Sequence, residues 1–227
     1  MPIRLDERLT TIANLAIGDT VADIGCDHGK LGYYLLSTDR AKKIVATDIS
    51  AKSLAKAEML ASENGVSAQL ETRLGDGLKP LASNEADVVV VAGLGGDVIS
   101  QILYEAEASG KQFQSFVLSP NTHAEKVRAC LLKIGHTIVY DDLVFAGSKT
   151  YTVLKSKIGC DTLDATQIKY GKFFKTCVNF RAYAAAEIKK AEYIISKNVG
   201  SKKLNEYIAE LTAALNSDSD NSENITK

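Results

Sequence analysis

The chain has 227 residues, of which 45% are hydrophobic and 24% are charged, enough to bury one α/β core and leave roughly sixty residues for an appendage. No run approaches the ~20 apolar residues of a membrane helix, there is no signal-peptide pattern, and the four cysteines lie far apart, which argues against a membrane protein, a disulfide scaffold and a zinc site. We therefore expect a cytoplasmic protein without a bound metal.

Basic residues are concentrated in one part of the chain. The net charge is −1, but the segment from Lys149 to Lys203 holds twelve Lys and Arg against four Asp and Glu, an excess of eight, so the remaining residues sum to about −9. Such an excess fits contact with nucleic-acid phosphates, and it also fits a solvated helical face. Charge alone does not decide between these two interpretations.

Short apolar runs alternate with helical patterns over the first 158 residues. An amphipathic helix containing Leu5, Leu9 and Ile12 is predicted first. Strands are then predicted at 20–24, 43–48, 68–74, 86–92 and 113–119, and helices at 30–37, 51–64, 97–108 and 124–134. Strands at 136–145 and 149–155 follow without a helix between them and form a hairpin.

This order predicts an α/β fold, a Rossmann-like domain with a mostly parallel sheet that ends in an antiparallel hairpin. The valine run at 88–91 has no polar alternation, as is typical of a central strand covered by helices on both faces. A dinucleotide-binding domain would usually continue with parallel βα units instead.

Beyond residue 159 the apolar period becomes helical. Apolar residues from Cys177 to Ile195, and again from Leu204 to Leu215, recur at spacings of three and four on either side of a turn at 198–200, which predicts two antiparallel helices. The last residues are polar and acidic, with nothing to bury. The predicted units are a sheet domain at 1–158, a coiled-coil-like helical hairpin at 159–216 and a disordered tail at 217–227.

Acidic residues follow three successive predicted strands. Asp27 lies in the first βα loop, where its carboxylate would repel a pyrophosphate. It could instead accept a hydrogen bond from the ammonium group of an amino-acid ligand, and His28 could bind the carboxylate of that ligand. Asp48 closes the second strand and can accept from ribose hydroxyls, and Asp76 suits an adenine amino group. A single Asp-Gly turn would be unremarkable, but three acids at three strand ends indicate a site.

The predicted cofactor-binding residues come from four loops and their preceding strands. They are Asp23, Gly25, Cys26, Asp27, His28, Asp48, Ile49, Asp76, Gly77, Gly93, Leu94 and Gly95. The glycines at 93, 95 and 96 predict close approach of the backbone to a ligand or substrate, or else a tight strand-to-helix turn. The predicted acceptor-side residues are Gly96, Ser119, Pro120 and Asn121. Asn121 can hold the edge of an adenine or cap the next helix.

With these motifs, the chain closely resembles the bacterial tRNA (adenine(22)-N1)-methyltransferases, which are class I methyltransferases. The resemblance rests on the opening helix, the run 23–28, the glycine-rich turn at 91–96, Ser119-Pro120-Asn121 and the hairpin with Lys149-Thr150-Tyr151. It implies S-adenosylmethionine as methyl donor, S-adenosylhomocysteine as product, and a tRNA adenine as acceptor held with the help of the C-terminal helices. The chain departs from the family at Ser119, usually Gln, and at 29–32.

Adenine N1 has a free lone pair, so the predicted chemistry needs positioning more than proton removal. Asp27, Asn121 and Tyr33 are the candidate catalytic residues, with Tyr33 proposed to stack on a base that is extruded from the RNA. The residues predicted to contact phosphates are Lys172, Lys175, Lys189 and Lys190. The sequence does not address oligomeric state, and we expect a monomer.

Three other functions stay open at this point. A methyltransferase for another RNA position, a small molecule or a protein would keep every cofactor residue. An RNA-binding module could retain the Rossmann core without turnover. A nicotinamide oxidoreductase is disfavoured by Asp27, His28 and the terminal hairpin.

Overall fold

The computed structural model describes residues 3–197 and 201–216. The predicted turn at 198–200 and the predicted disordered tail at 217–227 lie outside the described residues. Among the described residues no helix combines the length and hydropathy needed to cross a bilayer.

Helices and strands follow the predicted alternating order. They are α1 (Glu7–Leu15), β1 (Thr20–Ile24), α2 (Lys30–Ser37), β2 (Lys43–Asp48), α3 (Ala51–Glu63), β3 (Leu70–Leu74), β4 (Val88–Ala92), α4 (Gly96–Ala108), β5 (Ser115–Ser119), α5 (Ala124–Lys133), β6 (His136–Ala146), β7 (Lys149–Ile158), α6 (Ala165–Tyr170), α7 (Val178–Lys197) and α8 (Lys202–Asn216).

Several boundaries differ from the prediction by one to three residues, and one helix was missed. A 3-10 turn at Ser67–Gln69 replaces the start of the strand predicted at 68–74, and β7 continues three residues beyond its predicted end. Helix α6 was not predicted. It begins with a capping box in which the Asp164 side chain accepts from the Gln167 backbone and Gln167 reaches back to the Asp164 N–H. The Asp-x-x-Gln pattern was the available signal.

The strands form a seven-stranded sheet in the order β3-β2-β1-β4-β5-β7-β6. β1 pairs in parallel with β2 on one side and with β4 on the other. β7 pairs antiparallel with both β5 and β6. The Rossmann-like architecture with a terminal antiparallel hairpin is confirmed. Because the chain moves to opposite sides of β1, a crevice opens at the carboxyl ends of β1 and β4.

Helices cover both faces of the sheet, so the central strands are buried on both sides. α1, α2 and α3 contribute Ile12, Leu35 and Leu54 to one apolar cluster. On the opposite face, α4 and α5 contribute Leu103 and Leu131 to another. This burial explains the unalternating apolar sequence of β4.

The C-terminal helices pack against the sheet domain through an aromatic cluster and a buried ion pair. Phe174, Phe180 and Leu211 form the cluster, which also contacts Leu143 of β6. Arg128 of α5 forms a two-pronged bond to Asp141 of β6, with N–O distances of 2.8 and 2.9 Å. The pair reaches the C-terminal part because the Arg128 Nη1 donates to the Ile168 carbonyl at 3.1 Å and Asp141 accepts from the Lys172 N–H at 2.7 Å. The division into a domain at 1–158 and a hairpin at 159–216 stays a prediction, and these contacts join the two parts.

Candidate functional site

The βα loops that hold most predicted site residues meet at the carboxyl edge of the parallel strands. The loop after β1 is tied to the end of β2, because the N–H groups of Gly25 and Cys26 both donate to the Thr47 carbonyl at 2.8 and 3.1 Å. Gly29, with φ +67°, opens α2, and a Cβ there would lie 2.6 Å from the Ala57 Cβ. Glycine at this position lets α2 pack closely on α3.

Asp48 links the first two loops through its carboxylate. Its Oδ1 accepts from the Ser50 N–H at 2.8 Å and its Oδ2 from the Asp27 N–H at 3.2 Å. Each oxygen retains capacity for a further donor, as ribose hydroxyls would require. Ile49 follows with 75% of its surface exposed, which leaves an apolar face beside the carboxylate.

A third carboxylate lies beneath this loop. Asp23 of β1 is only 5% exposed, and burial, followed by repulsion from Asp48, raises its pKa to about 7. Burial, with Asp23 and Asp48 nearby, also raises the pKa of the Cys26 thiol to about 12, so Cys26 is a neutral thiol here. The crevice therefore favours a positively charged ligand, which would relieve the repulsion between these acids.

Asp27 and His28 occupy the outer part of the first loop. Asp27 has φ +49° and its side chain is 76% exposed. The Nε2 atom of His28 lies 2.6 Å from the Lys56 ammonium of α3 and 3.6 Å from the Asp27 carboxylate. Lys56 was missed by sequence reasoning, because nothing in a helix-surface lysine indicates that it faces a loop nearly thirty residues away.

Asp76 lines a cavity of about 580 Å³ between the loop after β3 and α4. Its carboxylate pairs with Lys79 at 2.6 Å. Gly77 has φ +55°, and a Cβ there would approach Ile102 of α4 at 3.0 Å. The exposed carboxylate and its cavity agree with the predicted role, although a ligand amino group would have to compete with Lys79.

The glycine-rich turn after β4 divides into two parts with different roles. Gly93 has φ +84°, and the nearest atom to an added Cβ would be 3.9 Å away, on Arg8. Gly95 is the N-cap of α4. At Gly96, an added Cβ would lie 2.3 Å from the His123 carbonyl oxygen and 2.5 Å from that of Thr122. We therefore correct the prediction for Gly96, whose close neighbour is the protein's own backbone rather than the substrate.

Asn121 joins the two acceptor-side loops. Its Nδ2 donates to the Gly93 carbonyl at 2.6 Å, and its backbone N–H donates to the Leu94 carbonyl at 2.8 Å. The alternative role as N-cap of α5 is wrong, because His123 occupies that position. The side-chain amide is exposed and fixed in orientation, which suits recognition of a base edge.

Two further acceptor-side residues are less accessible than predicted. Ser119 and Pro120 are buried, and the Ser119 Oγ has no hydrogen-bond partner among the described residues. Tyr33 is 8% exposed, so stacking on a base would require its ring to be uncovered. Pro120 can shape the loop, and contact of Asn121 with a substrate stays a prediction.

The predicted phosphate-binding lysines do not share one environment. Lys172 was predicted to contact phosphate, but it pairs with Asp161 at 2.7 Å and donates to the Ile138 carbonyl at 2.8 Å. This structural role corrects the prediction. Lys175 and Lys189 are exposed, and Lys190 lies 3.4 Å from Glu187.

The described residues contain no group of His, Cys, Asp and Glu side chains arranged to hold a metal ion.

Comparison with known proteins identifies the family of this fold. The methyltransferase domain family matches residues 5–154. The chain belongs to the methyltransferase family. The Bacillus subtilis tRNA (adenine(22)-N(1))-methyltransferase is 30% identical over 158 residues, which are 69% of this chain and 66% of the relative. The family resemblance indicated by the sequence motifs is confirmed.

Solved structures share the fold of this methyltransferase over nearly its whole chain. Streptococcus pneumoniae Sp1610, solved in complex with S-adenosyl-L-methionine, has a TM-score of 0.82 and 23% identity over 93% of this chain and 100% of that one. The Bacillus subtilis M1A22 tRNA methyltransferase TrmK has a TM-score of 0.74 and 26% identity over 93% and 96% of the two chains. Coverage of this extent includes the C-terminal helices as well as the sheet.

Proposed function

We propose that this protein transfers the methyl group of S-adenosylmethionine to N1 of adenine 22 in tRNA. The observation that carries the cofactor assignment is the acidic crevice formed by Asp23, Asp27 and Asp48. Its charge favours a ligand with sulfonium and ammonium groups and opposes a pyrophosphate. The acceptor assignment is supported by similarity to the Bacillus subtilis enzyme named for that reaction.

The site fits S-adenosylmethionine, which when bound supplies an electrophilic methyl group. Asp48 accepts from the ribose hydroxyls through the free capacity of its two oxygens. Asp27 accepts from the ammonium, and Lys56, held on His28, provides a cation for the carboxylate. Asp76 accepts from the adenine amino group. The open space beside Gly93 leaves room for the cofactor to approach the backbone closely.

The acceptor needs to be oriented and separated from water more than it needs a base. Adenine N1 is unprotonated at neutral pH, so the chain need not remove a proton before the attack. Asn121 is fixed by its bond to the Gly93 carbonyl, and its amide can pair with the edge of an extruded adenine. Asp27 would also stabilise the positive charge of the methylated base.

The C-terminal helices hold the tRNA in this proposal. Lys175, Lys189 and Lys190 contact phosphates and fix orientation without reading sequence. The affinity for tRNA should then fall steeply with salt. The sheet domain at 1–158 carries the chemistry, and a tRNA substrate implies action in the cytoplasm. We propose a monomer as the active form.

The decisive experiment is methyl transfer from labelled S-adenosylmethionine to an unmodified tRNA transcript, followed by mapping of the modified nucleoside. The matched control is the same transcript with guanine at position 22. We expect one N1-methyladenosine in the first transcript and none in the second. Label in both transcripts would keep the methyltransferase and discard the position.

The other candidate functions give different results in the same assay. A methyltransferase for small molecules or proteins would bind the cofactor and leave tRNA unlabelled. An RNA-binding module would bind tRNA without transfer. A nicotinamide enzyme would bind NAD in a cofactor titration, which the carboxylate of Asp27 beside Asp48 opposes.

A further inference from the structure

Arg8, in the first turn of α1, carries an unpaired cation at the acceptor side of the site. Its Nε and Nη1 atoms are buried, and neither has a hydrogen-bond partner among the described residues. The residue as a whole is only half-buried, but buried donors without a partner are uncommon in folded proteins. Arg8 therefore has donors available for a partner that the described residues do not provide.

The position of Arg8 is defined by two neighbours. Its guanidinium carbon lies 4.7 Å from the centroid of the Tyr151 ring on β7. Its Nη1 lies 3.9 Å from the place where a Cβ of Gly93 would be. Because Asn121 donates to the Gly93 carbonyl, Arg8 and Asn121 both lie beside the turn at Gly93.

The chemistry of the group narrows the choice of partner. A guanidinium stacked on an aromatic ring is planar, weakly hydrated and limited in rotation, and its donors match two oxygens of a phosphate or carboxylate. The described acids of the crevice, Asp23, Asp27 and Asp48, form no ion pair with Arg8. An oxyanion from outside the chain fits these observations.

We propose that Arg8, held on the Tyr151 ring, binds a phosphate of the RNA backbone beside the nucleotide whose base enters the acceptor loops. This inference rests on the proposed tRNA substrate. An extruded nucleotide brings its own phosphates to the enzyme, and holding one of them fixes the rotation of the base towards Asn121.

A carboxylate of the cofactor has the same oxyanion chemistry, so position decides between the two sources. The loop that offers Asp27 to the ammonium follows β1, and Lys56 lies beside it. Arg8 instead contacts the turn after β4 and the ring of Tyr151 on β7. It lies on the side of the crevice that we assign to the acceptor.

The test compares Arg8→Gln with Arg40→Gln. Arg40 also stacks on a tyrosine, Tyr34, at 5.6 Å, but it precedes β2 and so lies at the amino ends of the strands, where its carbonyl accepts from the Gly18 N–H. Arg40→Gln therefore removes the same charge at the opposite edge of the sheet. Binding to tRNA is measured across a salt series, and S-adenosylmethionine binding is measured by calorimetry.

We expect Arg8→Gln to weaken tRNA binding about ten- to a hundredfold and to reduce the slope of log K against log salt by about 0.7 to 0.9, the value for one phosphate. Binding of S-adenosylmethionine should be unchanged, and Arg40→Gln should match the wild type in both assays. Tyr151→Phe should bind tRNA normally, whereas Tyr151→Leu should not.

Two further variants, Arg8→Met and Arg8→Lys, distinguish the loss of an RNA contact from a folding defect. Removing an unpaired buried cation should leave the melting temperature of Arg8→Met equal to or above that of the wild type, whereas a merely structural arginine would lower it. Arg8→Lys should retain the salt slope. An unchanged salt slope in Arg8→Gln, or a loss of cofactor binding with normal tRNA binding, would overturn the assignment. If the wild type binds no tRNA, the proposed function itself fails.

Discussion

The buried pair of Arg128 and Asp141 gives the sharpest prediction about stability. Their side chains are 2% and 1% exposed and form two short bonds. Asp141 also accepts from the Lys172 N–H at 2.7 Å, and the Arg128 Nη1 donates to the Ile168 carbonyl at 3.1 Å. The pair therefore joins α5 and β6 to the segment that begins the C-terminal helices.

Arg128→Met removes the charge and retains most of the side-chain volume. Asp141 would then lose two of its three donors while remaining buried, and breaking such a pair costs about 3 to 5 kcal/mol. For a chain of this size, each kcal/mol lowers the melting temperature by about 2 to 4 °C, so we expect a decrease of roughly 6 to 20 °C.

Thermal and urea unfolding of Arg128→Met, Asp141→Leu and the double variant measure this cost. The double variant should recover much of the stability, because neither charge is then left alone. Binding of S-adenosylmethionine should persist in Arg128→Met at low temperature, since the crevice lies at other loops. A loss below about 1 kcal/mol in Arg128→Met, or additive single losses in the double variant, would refute the reasoning.

Four further predictions concern the crevice and the packing beside it. Burial raises the pKa of Asp23 in the folded chain to about 7, so the folded chain binds a proton that the unfolded chain releases near pH 4. The free energy of unfolding should therefore fall as pH rises from about 4 to 7. Asp23→Asn should remove this fall from a plot of stability against pH. Binding of the cationic cofactor should strengthen over the same range and lose this dependence in the Asn variant. Asp48→Asn should weaken S-adenosylmethionine binding about tenfold or more in calorimetry, whereas Asp19→Asn, at the amino end of β1, should not. Gly96→Ala should lose about 3 kcal/mol in urea unfolding, because its Cβ meets two carbonyl oxygens, and Gly95→Ala, with 3.3 Å to its nearest neighbour, should lose much less.

Local signals in the sequence were sufficient for the order of elements. Apolar runs and helical spacing are properties of neighbouring residues, so β1, α2 and β2 were predicted with their observed bounds. The capping box of α6 was an equally local signal that was overlooked. The start of β3 was misplaced because the turn at Ser67–Gln69 depends on packing against the neighbouring helix and strand.

For the site, the sequence by itself determined which residue types follow each strand. Carboxylates after β1 and β3 and at the end of β2 indicated a cationic cofactor, and the tRNA adenine as acceptor came from the resemblance to a known family. The cofactor assignment follows from the chemistry of single residues and from the rule that parallel strands expose their carboxyl ends on one edge.

Only the tertiary structure decided which groups meet across that edge. It moved Gly96 and Lys172 from binding roles to packing and ion pairing, and it brought Lys56 to His28 and Arg8 to Gly93. Contacts of this kind join residues far apart in the chain, and their distances depend on how helices pack on the sheet rather than on any local pattern. For that reason the type of cofactor could be predicted from the sequence, whereas the unpaired cation at Arg8 could be found only in the folded chain.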